Sequence, residues 1–63
     1  MIVKIDLEVR QIAQTNLVDL SEYGIDKETF NSMNEDEKKE WLFENVIVNY
    51  DSPIWVIEKI EEV

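Results

Sequence analysis

Val3, Ile5, Leu7 and Val9 alternate with Lys4, Asp6, Glu8 and Arg10, the period-two signature of a strand with one buried face. Gln11 to Asn16 is polar apart from Ile12 and Ala13, and Leu17-Val18-Asp19-Leu20 then resumes a short apolar run, so the spacing predicts a hairpin. Gly24, the only glycine, closes that strand region. Asp26 follows as an N-cap, with Ile25 and Phe30 placed to staple across it. A short helical turn over 27–33 is expected.

Asn34 reads as a second N-cap, because Glu35, Asp36 and Glu37 fill the first turn, where negative charge is favoured, and Glu37 occupies the capping-box position. A helix from Glu35 to Asn49 is expected. At roughly 100° per residue, Leu42, Phe43, Val46, Ile47 and Tyr50 share one broad face, while Asp36, Glu37, Glu40 and Glu44 share an adjoining one. Val46-Ile47-Val48 is β-branched and supports a second reading, a hairpin over 46–57 around Asp51-Ser52-Pro53. Pro53 stops whatever precedes it and biases Ser52 toward an extended conformation. Ile54 to Ile60 then reads as a final strand, with Glu61, Glu62 and Val63 fraying. On strict alternation Ile54, Val56 and Ile60 take one face of that strand, and Trp55 and Ile57 the other. Both faces are then apolar, and one of them is a surface for a partner or a second copy.

These elements predict an α+β domain spanning 1–63, in which a small three-stranded sheet of order 2-1-3 is covered on one face by one main helix. The layout is β-β-α-β, with a short helical turn before the main helix. A right-handed crossover joins the second strand to the third, and both outer strands remain edges. A chain of 63 residues buries only about 60% of the surface its unfolded form exposes. About 14 inward apolar positions at roughly 2 kcal/mol each are of the same order as the ordering entropy. Net stability is therefore modest, and partner binding or dimerisation adds to it.

Composition changes the picture on the functional side. Fifteen acidic residues against six basic ones give a net charge of −9. A hydrophobic content of 44%, with two Trp, two Tyr and two Phe, supplies enough apolar surface for a compact core despite that charge. With no cysteine and no histidine, disulfides, thiolate metal sites and a side chain titrating near neutral pH are excluded. Ser21, Ser32 and Ser52 have no base to activate them, and Gly24 stands outside any phosphate-cradling glycine pattern. No enzymatic activity and no cofactor are expected. Asp36, Glu40 and Glu44, at i, i+4 and i+8 along one helix edge, cannot wrap a hard cation without another element, so no metal site is expected either. Charges interrupt every candidate signal-peptide core in MIVKIDLEVR. Uncharged runs such as Asn45 to Tyr50 fall far short of the ~20 residues a membrane helix needs, and an acidic surface is repelled by anionic lipid. A cytoplasmic protein with no membrane partner is expected. Lys4, Arg10, Lys27, Lys38, Lys39 and Lys59 are too few and too scattered to bind nucleic acid directly.

The acidic stripe is not explained by stability alone, since Asp36/Glu40 and Glu40/Glu44 are like-charge i,i+4 pairs that each cost about 0.2–0.5 kcal/mol. Residues 32–63 hold nine of the fifteen acids and three of the six bases. Trp41 projects beside Glu37 and Glu44, away from the centre of the apolar face, giving the composition of a binding hot spot. A domain of this length spans roughly 25–30 Å, over which duplex DNA carries about 16 phosphate charges. Nine net negative charges suffice in number for mimicry if they cluster.

Asn34-Glu35-Asp36-Glu37-Lys38-Lys39-Glu40-Trp41-Leu42, followed after Pro53 by Ile54-Trp55-Val56-Ile57, resembles the small acidic accessory proteins encoded by bacteriophages. The likeness is one of size, charge and layout over residues 30–60, and no functional residue is carried over from it. Such proteins often block host machinery as anti-CRISPR or other anti-defence inhibitors, as polymerase inhibitors or as DNA mimics. The resemblance implies a phage-type inhibitor of a basic, nucleic-acid-handling host protein. Asp36, Glu37, Glu40, Trp41 and Glu44 are the candidate contact residues. The alternative reading is a structural or regulatory homodimer joined through Trp55 and Ile57 or by pairing of edge strands.

Overall fold

The computed structural model describes residues 1–50 and 55–63. Strand β1 (Ile2–Val9) pairs antiparallel with β2 (Ile12–Asp19) on one side and with β3 (Val56–Glu62) on the other, giving a sheet of order β2-β1-β3. Helices α1 (Lys27–Asn31) and α2 (Glu35–Asn45) lie between β2 and β3 in the chain. The architecture is the expected α+β one, 33 × 19 × 19 Å in extent.

The alternation in β1 does what its pattern requires. Val3, Ile5 and Leu7 are buried, while Lys4, Asp6 and Glu8 are partly or fully exposed. Val18, Leu20, Phe30, Leu42, Val46, Ile47 and Ile57 complete the buried core, which contains no polar side chain among the described residues. Met1, Ile25, Met33, Trp41, Tyr50, Trp55 and Ile60 pack around it.

The second strand is longer than the apolar run announces. It begins at Ile12, directly after a two-residue turn in which Arg10 (φ 47°) and Gln11 (φ 69°) are both left-handed. The polar residues Gln14, Thr15 and Asn16 are thus strand, with Thr15 donating to Asp6 across the ladder (2.9 Å) and Asn16 donating to the Tyr50 hydroxyl (2.9 Å). Gly24 (φ 76°) ends a 3-10 turn, Leu20–Tyr23, rather than the strand itself.

Both helix starts follow their caps. The Asp26 carboxylate accepts from the Thr29 N–H at 2.7 Å. Asn34 Oδ1 accepts from the Glu37 N–H (2.8 Å) while Glu37 Oε1 accepts from the Asn34 N–H (3.0 Å), a complete capping box. The main helix, however, stops at Asn45, and Ile47–Asn49 forms a 3-10 turn. The β-branched run Val46-Ile47-Val48 tightens the backbone instead of continuing the helix, and it does not enter a strand at 46–50. The rest of the alternative hairpin, with Asp51, Ser52, Pro53 and Ile54, lies outside the described residues. Of the predicted apolar face, Leu42, Val46 and Ile47 are buried and Tyr50 half-buried, but Phe43 is exposed.

Two expectations for the last strand are corrected. Glu61 and Glu62 do not fray: they pair with Lys4 and Val3, and the Val63 N–H donates to the Ile2 carbonyl at 3.0 Å. Ion pairs Lys59–Glu61 (2.6 Å), Lys4–Glu61 (3.8 Å) and Lys27–Glu62 (3.4 Å) hold the same end. Strict alternation also fails. Asp6 faces Lys59 while Leu7 faces Ile57, so Glu58 is an extra residue in β3. This bulge turns Ile57 and Ile60 to the same side, against the core, where Trp55 also packs; Val56 is left outside.

Candidate functional site

Helix α2 sorts its residues by turn. Leu42 and Val46 face the sheet, and Asp36, Glu37, Glu40 and Glu44 project from the opposite side into solvent. Trp41 sits on the boundary. One side of its indole packs on the core, meeting Tyr23 and Phe30 edge-on at centroid separations of 6.3 and 6.2 Å. The other side opens on a shallow depression of about 270 Å³ lined by Met33, Glu37, Glu40, Trp41 and Glu44.

Four of the five predicted contact residues therefore meet at one place, and the fifth, Asp36, does not line it. Met33 is the member that sequence reasoning missed. It precedes Glu37 by four residues as Glu37 precedes Trp41, so i,i+4 spacing from the tryptophan was the signal that would have found it. Tyr23 was also missed; it reaches Trp41 from the 3-10 turn after β2, and no local pattern links the two.

The carboxylates of this face are not neutralised from within. Among the described residues, the ion pairs join Lys4, Lys27 and Lys59 to Glu61 and Glu62 of β3, and none reaches Asp36, Glu37, Glu40 or Glu44. Lys38, next to Glu37 in sequence, lies over the Phe30 ring at 5.3 Å, a cation–π contact. Of these four acids, Glu37 alone is engaged among the described residues, and its partner is a backbone N–H.

A second depression, about 420 Å³, runs along the other flank of α2, between Lys39, Glu40 and Phe43 on the helix and Trp55 with the first residues of β3, Val56 and Ile57. Glu40 is the ridge common to both. The alternative dimer face does not form as expected. Ile57 is buried at 7% exposure and Trp55 packs against the same core, because the bulge at Glu58 brings both to the inner side. Ile2, Leu17 and Val56 are the large apolar residues exposed on the outer sheet face, spread among Lys4, Asp6, Thr15, Lys59 and Glu61.

Among the described residues no group of three or more acidic side chains is disposed to hold a metal ion. No helix there is long and apolar enough to cross a membrane. Comparison of the chain with protein-family models, with curated proteins and with solved structures found no match.

Proposed function

We propose that this chain is a small acidic, non-enzymatic binding module that works in the cytoplasm. It engages a basic protein surface built for nucleic acid, in the manner of a phage-type inhibitor of a host nucleic-acid-handling protein. Trp41 is the anchor, and Glu37, Glu40 and Glu44 steer and orient the partner around it, with Asp36 extending the charged face.

The observation that carries this reading is the convergence of Glu37, Glu40, Trp41 and Glu44 on one depression while no lysine among the described residues pairs with those acids. Charge density supports it. From Asp36 to Glu44 the helix rises about 12 Å, and a single DNA strand carries one phosphate per 3.4 Å, or three to four over that length. Asp36, Glu37, Glu40 and Glu44 match that count. An aromatic ring with unneutralised carboxylates at its rim also supplies area and long-range attraction together.

The test is affinity capture from a bacterial lysate. The captured protein should be basic, duplex DNA should compete for it, and capture should weaken with added salt and on charge reversal at Glu40 and Glu44. Capture that is insensitive to salt, to DNA and to both reversals refutes the reading.

A further inference from the structure

We infer that the trough between α2 and the free edge of β3 receives an extended cationic segment of the partner, which adds to the sheet as a short fourth strand. The inference deepens the proposed function, rests on it for the positive charge of the partner, and shares Glu40 with it.

Three observations converge on that flank. First, the sheet ends at β3: among the described residues no strand pairs with its far side, so alternate backbone N–H and C=O groups there form a template for another chain. Second, that edge runs beside a hollow of about 420 Å³ whose walls include Phe43, Trp55, Val56 and Ile57. Phe43 and Val56 are 44% and 57% exposed, apolar area that the fold itself leaves uncovered. A strand laid along the edge drops alternate side chains toward this hollow. Backbone pairing then gives affinity and the apolar wall gives selectivity, as in peptide recognition by strand addition. Third, the charge selects the occupant. Glu40 walls both the trough and the Trp41 depression; Lys39 offsets it on the trough wall, but Glu58 stands exposed at the bulge and the whole chain carries −9, so the field around the edge is negative. A second copy would bring −9 against −9 to this edge, whereas a segment alternating Arg or Lys with aliphatic residues satisfies wall and charge together.

The bulge sets the length. Glu58 interrupts β3 between Ile57 and Lys59, which prevents the long uninterrupted pairing that drives edge-to-edge aggregation and leaves short stretches on either side. A segment of a few residues is the match.

The probe is a capped hexapeptide alternating arginine with valine, titrated into ¹⁵N-labelled protein. Two controls accompany it: the glutamate–valine counterpart, and the arginine peptide N-methylated at alternate residues, prepared in both phases. The arginine peptide should shift the Trp55 indole resonance and the backbone amides of Phe43, Val56 and Ile57. One N-methylated phase should bind at least tenfold more weakly, and the glutamate peptide should leave the spectrum unchanged. The Phe43→Ala/Val56→Lys variant, with a circular-dichroism melt like the parent's, should also bind at least tenfold more weakly. Equal binding of both N-methylated phases overturns strand addition. Shifts confined to Trp41, Glu37 and Glu44 overturn the trough while leaving the acidic face in place, and a spectrum that no peptide changes overturns it as well. Conversely, lysate capture that survives charge reversal at Glu44, which the trough does not use, defeats the proposed function without touching this result.

Discussion

Ile57 and Ile60 both turn toward the core although they stand three residues apart, a spacing that strict strand alternation would send to opposite faces. Glu58 absorbs the mismatch. It is the extra residue that lets Ile57 face Leu7 and Ile60 face Ile5, so the bulge preserves the apolar register on both of its sides.

Deletion of Glu58 should therefore be tolerated. Removing it leaves Ile57, Lys59 and Ile60 opposite Leu7, Asp6 and Ile5 in an unbroken ladder, with every inward residue unchanged. Nuclear Overhauser contacts between Leu7 and Ile57 and between Ile5 and Ile60 should persist in the deletion variant. If they vanish, or if the variant unfolds, Glu58 is not the bulged residue.

How much of this was legible in the chain divides by distance along it. The Asn34–Glu37 capping box, the Asp26 cap and the alternation of Val3 to Val9 are local chemistry, complete within a few residues, and they appear as read. The register of β3 is a property of the β1–β3 pair, and β3 alone holds no mark of where the extra residue falls. Strand β2 hid for a related reason. Its inward positions Ile12 and Gln14 lie past the reach of the helical layer and are exposed, while Asn16 meets Tyr50 instead of the core, so no apolar alternation was needed there. Phe43 misled because angular position on a helix says which way a side chain points and not whether the partner surface extends that far. At the site, helical spacing was enough to group Glu37, Glu40, Trp41 and Glu44, whereas Tyr23 arrives from another element.

The β1–β2 turn carries strain that substitution should relieve. Arg10 and Gln11 are both left-handed (φ 47° and 69°), a conformation that costs a residue with a Cβ roughly 1–2 kcal/mol, and the only glycine is spent at Gly24, also left-handed at φ 76°. Two-residue hairpins of this hand favour Asn-Gly. Arg10→Asn/Gln11→Gly should raise stability by about 1–2 kcal/mol in urea unfolding with the denaturant slope unchanged. Gly24→Ala should move it the opposite way, for conformational reasons alone, since a Cβ built there touches nothing within 4 Å.

Acid should remove the caps and the end clamp of the sheet in a defined order of sign. Asp19 lies below the usual aspartate range because its carboxylate accepts from the Ser21 hydroxyl (2.7 Å) and N–H (3.1 Å), and Asp26 does so chiefly through the Thr29 N–H. Glu61 is lowered first by its hydrogen bond to Lys59, which is raised in turn by Glu61. A depressed carboxylate contributes stability above its unfolded pKa, about 4, and loses it as pH falls through the folded value. The raised Lys59 contributes below its unfolded pKa, about 10.4, and loses that contribution as pH climbs through the folded one. The difference in Tm between the parent and Asp26→Ala should thus be constant from pH 5 to 8 and shrink toward zero between pH 5 and 2. A difference that grows on acidification contradicts the assignment of Asp26 as an ionised cap.

Glu40 should show stability and binding pulling in opposite directions. It stands between Asp36 and Glu44 at i−4 and i+4, so the native helix carries two like-charge pairs, each costing about 0.2–0.5 kcal/mol. Glu40→Lys converts both into opposite-charge pairs and should stabilise the fold by roughly 0.8–2 kcal/mol at low salt, a gain that fades as ionic strength rises. Because Glu40 also walls both depressions, the same substitution should weaken partner capture and binding of the arginine peptide. A residue whose replacement strengthens the protein and disables it is one held for its surface rather than for the fold. Were Glu40→Lys to bind as the parent does, or to melt at a lower temperature in low salt, the outward acids of α2 would be serving the helix and not a partner.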